Sequence, residues 1–322
     1  MRSSSHRKTL AVVSLALLAW TSRADAQQAR GFALERLYPS APGGGWLVMD
    51  ALDMHGGLGG AMQLTLGYAH DPLRVASSDG SQRLPVVSDQ ASADFGFALT
   101  YQRFRLYLNM DAPRAAGGQS GSIGGYQFTA PALDLSSYPD MLGDVRIGFD
   151  ARIVGEPGGP FRLGAGAQLL VPSGNTTAYV TDGTYRAMGR VLFAGDAGYF
   201  TYAGQLGVHV RPRDDAPVPE GPRGSELLFG VAGGARFVVG ARRNAAVVVG
   251  PEIFGATAFE SFFGSATSLD GLISARLEGT GDRGAQLRLK LGAGAGLVDH
   301  LGAPEWRLVL AVEVFDHDEP VK

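Results

Sequence analysis

Asp144–Ile153 reads DVRIGFDARI and carries the pattern that decides the fold. Apolar side chains occupy every second position of this stretch, and its charged residues fall between them. Successive side chains of a β-strand point to opposite faces of the sheet, so a period of two predicts a strand with one apolar and one charged face. The same alternation recurs in Phe104–Asp111 and Gln286–Leu297, which indicates a chain built mainly of such strands.

Further strands are predicted from the same alternation. They are Trp46–Asp53, Ala61–His70, Asp94–Tyr101, Phe161–Val171, Tyr185–Ala194, Phe200–Arg211, Glu226–Phe237, Ala245–Phe254, Asp270–Glu278 and Glu305–Val314. The gaps between the strands alternate between short, as at 102–103, and long, as at 71–88 and 112–142. Outer-membrane barrels show this asymmetry, with tight periplasmic turns and long extracellular loops. We therefore predict an all-β fold, a transmembrane antiparallel up-and-down β-barrel, rather than a β-sandwich.

Parity sets the strand count. A chain that starts and ends in the periplasm crosses the membrane an even number of times. The thirteen candidates from Trp46 onward need one more ascending strand, and Gly31–Tyr38, GFALERLY, is able to supply it. The sequence predicts 14 strands, with 12 as the alternative.

The N-terminal residues have the features of a cleaved secretory signal. Basic Arg2, Arg7 and Lys8 precede the apolar run Leu10–Trp20, and the small-residue pattern Ala24-Asp25-Ala26 follows. An apolar run of 11 residues is shorter than the roughly 20 that a spanning helix needs. We expect a signal peptide at 1–26, a barrel at 27–315 and a short acidic tail at 316–322, in a protein exported through the periplasm to the bacterial outer membrane.

Composition supports a sheet protein and excludes several other classes. Glycine accounts for 47 of 322 residues without a triplet repeat, and hydrophobic residues make up 45%, which argues against collagen and disorder. The chain has no cysteine, so disulfides and thiolate metal sites are excluded. Removal of residues 1–26 takes away four basic residues and one acidic residue and moves the net charge from −3 to −6, which argues against a nucleic-acid partner.

The charged face of each strand is expected to point into the barrel, because an Arg or Lys facing lipid at mid-depth costs roughly 2–4 kcal/mol. The predicted lumen-lining residues are Arg105, Asp144, Arg146, Asp150, Arg152, Arg162, Arg186, Arg190, His209, Arg211, Glu226, Arg236, Glu252, Arg276, Arg288 and Lys290. These residues either line a water-filled pore or form a salt-bridge network that fills the lumen. The loop at 112–142 is a candidate constriction or lid over this lumen.

No catalytic motif is found. The chain lacks a Gly-x-Ser-x-Gly elbow, a His-Glu-x-x-His motif and a phosphate-binding loop. Its six histidines are scattered, without a partner at readable spacing. We predict no catalytic residue, no metal site, no cofactor and no enzymatic activity.

Four segments carry a family resemblance. They are Gly31–Trp46, residues 143–183, residues 200–215 and residues 248–257, the last reading VVGPEIFGAT. They resemble the barrel region of OmpA-family outer-membrane proteins and are similar to the transporter-like barrels of the MetA-pathway-of-phenol-degradation type. The resemblance implies a Gram-negative outer-membrane barrel with structural rather than catalytic motifs.

The leading functional hypothesis is a passive, porin-like pore or uptake channel for small polar or amphipathic solutes. The alternative is a structural or surface-interaction barrel with a filled lumen, which binds partners through its extracellular loops. Expected partners are outer-membrane lipid, small solutes and, during biogenesis, the barrel-assembly machinery.

Overall fold

Twelve antiparallel strands form a closed barrel. The computed structural model describes residues 27–29, 31–54, 56–136, 138, 140–212, 224–239, 245–279, 284–298 and 302–317. The barrel strands are β1 (Leu58–Ala76), β2 (Arg83–Tyr101), β3 (Phe104–Gly117), β4 (Val145–Val154), β5 (Arg162–Val171), β6 (Arg186–Ala197), β7 (Phe200–Val210), β8 (Glu226–Val239), β9 (Ala245–Ala258), β10 (Thr267–Gly279), β11 (Gly284–Gly296) and β12 (Trp306–His317). Within the described ranges, no helix is long and apolar enough to cross a membrane.

Each strand pairs with the next along the chain, and β12 closes the barrel on β1, where Glu313 lies opposite Gln63. The period-two pattern sorts the side chains between the two faces of this wall. On β4, Arg146 and Asp150 are buried inside, whereas Ile147 and Phe149 are exposed outside. The expectation of strands with unlike faces is confirmed.

The outer face of the wall carries a continuous apolar band. Pairing places one such residue beside the next across five strands, in the order Val314, Met62, Phe97, Leu108 and Ile147. An exposed apolar surface of this extent is what a barrel presents to lipid. The predicted class, a transmembrane antiparallel barrel, is confirmed.

The two ends of the barrel differ in their connections. At one end, called here the turn end, β2 joins β3 through Gln102 and Arg103, and β6 joins β7 through Gly198 and Tyr199. Gln102 and Gly198 have φ of 53° and 65°, as the first central residue of a tight hairpin turn requires. At the other end, called the loop end, the connections at 118–144 and 172–185 are long.

The prediction of 14 strands is wrong, and the alternative of 12 is confirmed. Gly31–Tyr38 and Trp46–Asp53, which we predicted as wall strands, lie inside the barrel instead. The four residues from Trp46 to Met49 are all buried, whereas a wall strand would expose every second side chain to lipid. We call residues 31–54 the lumen segment.

Strands also extend further than predicted at the loop end. β1 and β2 each have 19 residues and leave only the turn 77–82, so the predicted long loop at 71–88 is mostly strand. In the 118–144 connection, Gly121–Ile123 pairs with Tyr126–Phe128, and Gln27–Gln28 adds a parallel third strand. β12 continues to His317, past the expected barrel boundary. The expected signal peptide at 1–26 lies outside the described residues and stays a prediction.

Candidate functional site

The lumen segment passes through the barrel from the loop end to the turn end. Near its start, the Leu34 amide donates to the carbonyl of Tyr179 in the 172–185 loop at 3.1 Å. Near its end, the Met54 carbonyl accepts from Arg152 at 2.8 Å, beside the turn that follows β4. The chain therefore threads the lumen before it enters the first strand.

Apolar residues of the lumen segment pack against glycines of the wall. A Cβ placed at Gly230 would lie 2.4 Å from Met49 Cε, and one at Gly292 would lie 2.4 Å from Leu47 Cδ1. A Cβ placed at Gly234 would lie 3.0 Å from Cη2 of the Trp46 ring. Side chains at these wall positions would collide with Met49, Leu47 and Trp46, so the inward glycines leave the space that these three side chains occupy.

A buried carboxylate on β9 holds the backbone of the lumen segment. Glu252 accepts hydrogen bonds from the amides of Leu47, Val48 and Met49 at 3.0, 2.9 and 3.4 Å. A carboxylate that accepts several backbone amides satisfies donors that the interior would otherwise leave unpaired. Glu252 thus binds chain rather than lining open water.

Asp50 joins the lumen segment to charged groups of the wall near the turn end. Arg105 donates to Asp50 and, at 2.9 Å, to Asp150. Arg190 donates to the other oxygen of Asp150 at 2.8 Å. All four side chains are buried, so each charge depends on its partners.

A second network lies near the loop end. Glu226 accepts from Arg36 of the lumen segment at 2.9 Å and from Arg211 at 2.5 Å. Asp182, in the 172–185 loop, accepts from Arg211 at 2.7 Å and from the Ala33 amide at 2.9 Å. Burial by itself raises the pKa of Asp182, but Arg211, Arg186 and these hydrogen bonds together hold that pKa well below its ordinary range.

A third network lies on β10, β11 and β12. Glu313 accepts hydrogen bonds from Arg288 at 3.0 Å and from the Gly43 amide at 2.6 Å, and it forms an ion pair with Lys290 at 2.6 Å. Glu278 lies 3.0 Å from Arg288 and 3.3 Å from Arg276. The lumen segment again completes a set of wall charges.

The structure places all sixteen predicted lumen residues on or beside the inner face of the wall. Fifteen of them are buried, and Arg236 is the exception, with 41% of its side chain exposed. The pairs that they form could not be read from the sequence. The sequence also missed Glu35, Arg36 and Asp50, because the lumen segment was taken for two strands. Its uncharged run Gly43–Met49, GGGWLVM, lacks alternation, and that was the available signal.

A cavity of 90 Å³ remains between the lumen segment and the wall near the loop end, and we call it the loop-end cavity. Its charged lining comprises Glu35, Asp94, Asp111, Asp144, Arg146, Arg186 and Arg307. Leu37, Leu170 and Val309 contribute apolar lining. Within the part of the chain that is described, this is a chamber with both charged and apolar lining that the lumen segment leaves unfilled.

Two arrangements bear on metal binding and catalysis. His70, Asp71 and Glu305 bring one ligand atom each within 4.8 Å of one another, although Glu305 is also paired with Arg74 at 2.7 Å. His209, buried on β7, faces Glu226 through Nδ1 at 3.3 Å. Its Nε2 has no hydrogen-bond partner among the described residues, so no hydroxyl nucleophile is bonded to it there.

Comparison with known proteins relates the fold to solved outer-membrane barrels. No protein-family profile and no curated protein matches the chain. The COG4313 outer membrane channel from Pseudomonas putida F1 aligns at a TM-score of 0.52 with 12% identity, over 82% of this chain and 97% of that chain. The fold is therefore that of an outer-membrane β-barrel.

Two further solved barrels align less closely. The β domain of the Bordetella autotransporter BrkA gives a TM-score of 0.41 with 14% identity, over 79% of this chain and 98% of that one. The CymD monoaromatic hydrocarbon channel gives 0.40 with 8% identity, over 83% and 90%.

Proposed function

We propose that this protein is an outer-membrane channel for small polar or amphipathic solutes, closed at rest by its own lumen segment. The observation that carries the proposal is that the lumen is closed by residues 31–54 and not by the wall. A barrel of about eight strands is just wide enough for its side chains to fill. A barrel of 12 strands is wider, and here the added width is occupied by a segment outside the barrel sheet.

The attachments of the lumen segment are consistent with displacement. It is bound by side chains such as Glu252, Arg105 and Glu226, and not by a ladder of strand pairs. If the segment withdrew, these same groups would line the opening and would suit polar solutes. The Pseudomonas putida channel has the same fold, but fold alone does not fix function, so the proposal rests on the lumen segment.

A filled scaffold that acts through its loops is the second candidate. It is favoured by the complete burial of wall charges such as Arg105, which loses its partner Asp50 if the segment leaves. Breaking a buried pair typically costs about 3–5 kcal/mol, and this cost favours a lumen segment that stays in place. The two candidates therefore differ in whether the segment moves at all.

A cross-link between the lumen segment and the wall distinguishes them. A Cβ at Gly43 lies 3.9 Å from Ala61 Cβ on β1, within the roughly 3.5–4.5 Å that a disulfide spans. The chain has no cysteine, so the double variant Gly43→Cys/Ala61→Cys forms only this disulfide. Because Gly43 has φ of +84°, the single variant Gly43→Cys is the control for backbone strain.

Planar-bilayer conductance of refolded residues 27–322 is the measurement. We expect the oxidised double variant to be silent and its reduction to restore the conductance of the single variant. Equal conductance before and after reduction would show that the segment does not gate the pore. Silence of the reduced, single-variant and unmodified proteins, with heat-modifiable gel migration showing that they folded, would establish the filled scaffold instead.

A further inference from the structure

Six buried basic side chains lie on the inner face of the wall in its turn-end half, which comprises the seven residues of each strand nearest the turns. One group comprises Arg105, Arg152 and Arg162, on the neighbouring strands β3, β4 and β5. The other comprises Arg276, Arg288 and Lys290, on β10 and β11. In a closed ring of 12 strands, β4 and β10 lie on opposite sides, so the two groups face each other across the lumen. We call these six the turn-end basic residues.

The strands supply fewer carboxylates than basic groups in this half of the lumen. The inward carboxylates are Asp150 and Asp196 beside the first group, and Glu278 and Glu313 beside the second. Six buried basic and four acidic side chains leave a surplus of two positive charges among the described strand residues, to which the more exposed Arg236 adds. Buried charges without counter-charges are costly, so this part of the wall requires anions from elsewhere.

The lumen segment supplies two negative charges at this place. Asp50 accepts a hydrogen bond from Arg105, and Asp53 lies 3.0 Å from Arg162. The other two charged residues of the segment, Glu35 and Arg36, lie toward the loop end and have opposite charges. Withdrawal of the segment therefore changes the charge balance at the turn end and leaves that of the loop end unaltered.

Apolar side chains precede Asp50 in the lumen segment. Trp46–Met49 form one buried cluster with wall residues that include Val248, Phe254 and Leu272. If the segment withdrew, this apolar part of the wall would be uncovered beside the turn-end basic residues. The sequence WLVMD thus fills the lumen with an apolar body followed by a carboxylate.

We propose that the opened channel selects small amphipathic carboxylates, each with an apolar body and one carboxylate group. This inference rests on the proposed function, because the site is uncovered only when the lumen segment withdraws. The carboxylate takes the place of Asp50 on Arg105, since a guanidinium binds a carboxylate through paired N–H donors. The apolar body takes the place of Trp46–Met49. Basic side chains around a pore favour anions, so the turn-end basic residues determine the selectivity.

Reversal potentials in planar bilayers test this selectivity near neutral pH, with a gradient of potassium hexanoate across open channels of refolded residues 27–322. We expect hexanoate to be more permeant than potassium. Arg276→Gln should shift the reversal potential toward that of potassium, because it removes one turn-end basic residue. Arg83→Gln, which removes an exposed charge at the loop end, is the matched control and should leave the reversal potential unchanged.

Arg276 is the position to vary because its loss disturbs the closed protein least. Its Nε and Nη1 have no hydrogen-bond partner among the described residues. It lies 3.3 Å from Glu278, and that carboxylate keeps Arg288 at 3.0 Å when Arg276 is replaced. We therefore expect Arg276→Gln to fold.

The fluorescence of Trp46 gives a second readout that needs no current. Trp306→Phe retains Trp46 as the single tryptophan of residues 27–322. Hexanoate should increase the quenching of Trp46 by acrylamide, because a ligand of the open state shifts the population toward a displaced segment. At the same concentration, 1-hexanol and hexylammonium chloride should not, because the first has no charge and the second has the opposite charge.

Each contrary outcome has a distinct meaning. Channels that conduct potassium better than hexanoate would overturn the selectivity and leave the channel itself standing. An unchanged reversal potential in Arg276→Gln would separate the selectivity from the turn-end basic residues. Equal quenching of Trp46 with 1-hexanol would show that the carboxylate is not recognised. Silent bilayers without any change in Trp46 quenching, from protein shown to be folded by heat-modifiable migration, would contradict the channel and this inference together.

Discussion

Asp182 joins three parts of the molecule at its loop end. It belongs to the 172–185 loop, accepts from Arg211 beyond β7, and accepts from the Ala33 amide of the lumen segment. We expect Asp182→Asn to lower the free energy of unfolding by about 3–5 kcal/mol at neutral pH, because it leaves buried Arg211 with one fewer counter-charge. Urea titration of the refolded protein in lipid vesicles, followed by heat-modifiable migration, measures this loss.

The pH dependence follows from the direction of the shift. The pKa of Asp182 in the folded state lies below its ordinary value of 3.8, so its contribution is complete above that value and is lost as the pH falls toward the folded pKa. Acidification from about pH 4 to about pH 2 should therefore destabilise the unmodified protein more than it destabilises the Asp182→Asn variant. Asp79 is the control, because it is exposed and hydrogen bonds from Ser77 and Ser81 lower its pKa to about 2. If Asp79→Asn lowered the free energy of unfolding at neutral pH as much as Asp182→Asn does, the buried Asp182–Arg211 pair would not be the cause of that loss.

At the scale of elements, the two tryptophans that follow residue 26 report on the two sides of the wall. Trp46 of the lumen segment is 2% exposed, and Trp306 at the start of β12 is 42% exposed on the outer face. In vesicles, brominated lipid should quench the fluorescence of Trp46→Phe, which retains Trp306. It should leave Trp306→Phe, which retains Trp46, nearly unquenched, and acrylamide should reach Trp46 poorly. Strong quenching of Trp46 by brominated lipid would place Trp46–Asp53 in the wall, as a strand.

The same elements show what the sequence could and could not predict. The wall was predictable because lipid outside and charge inside impose a period of two, as in Val145–Val154. The lumen segment was not predictable, because an extended chain buried on all sides resembles a strand in sequence. The two strands wrongly predicted within it raised the strand count from 12 to 14, and because both numbers are even, parity did not reveal the error. The inward direction of Arg105 and Arg190 follows from alternation, but their shared partner Asp150 depends on register across the closed sheet. The partner Asp50 depends on the lumen segment itself.

For the whole molecule, the path of the chain implies an orientation. The described chain starts at the loop end, where Gln28 pairs with Gln127, and runs through the lumen to the turn end before β1 begins. Long loops of outer-membrane barrels are extracellular and short turns are periplasmic. We therefore expect residues 27–29 and the turn 77–82 to share the extracellular side, opposite the turn at Gly198 and Tyr199.

Single cysteines in this cysteine-free chain test that orientation in intact cells. We expect Gln28→Cys and Ser81→Cys to react with a membrane-impermeant maleimide without lysis, because both side chains are exposed at the loop end. Tyr199→Cys, at a position 80% exposed at the turn end, should react only after the outer membrane is permeabilised. Labelling of Tyr199→Cys alone in intact cells would show that the barrel has the opposite orientation in the membrane. Labelling of Ser81→Cys without Gln28→Cys would mean that the chain start is not at the surface, so the lumen segment would not thread the barrel in the cell as it does here.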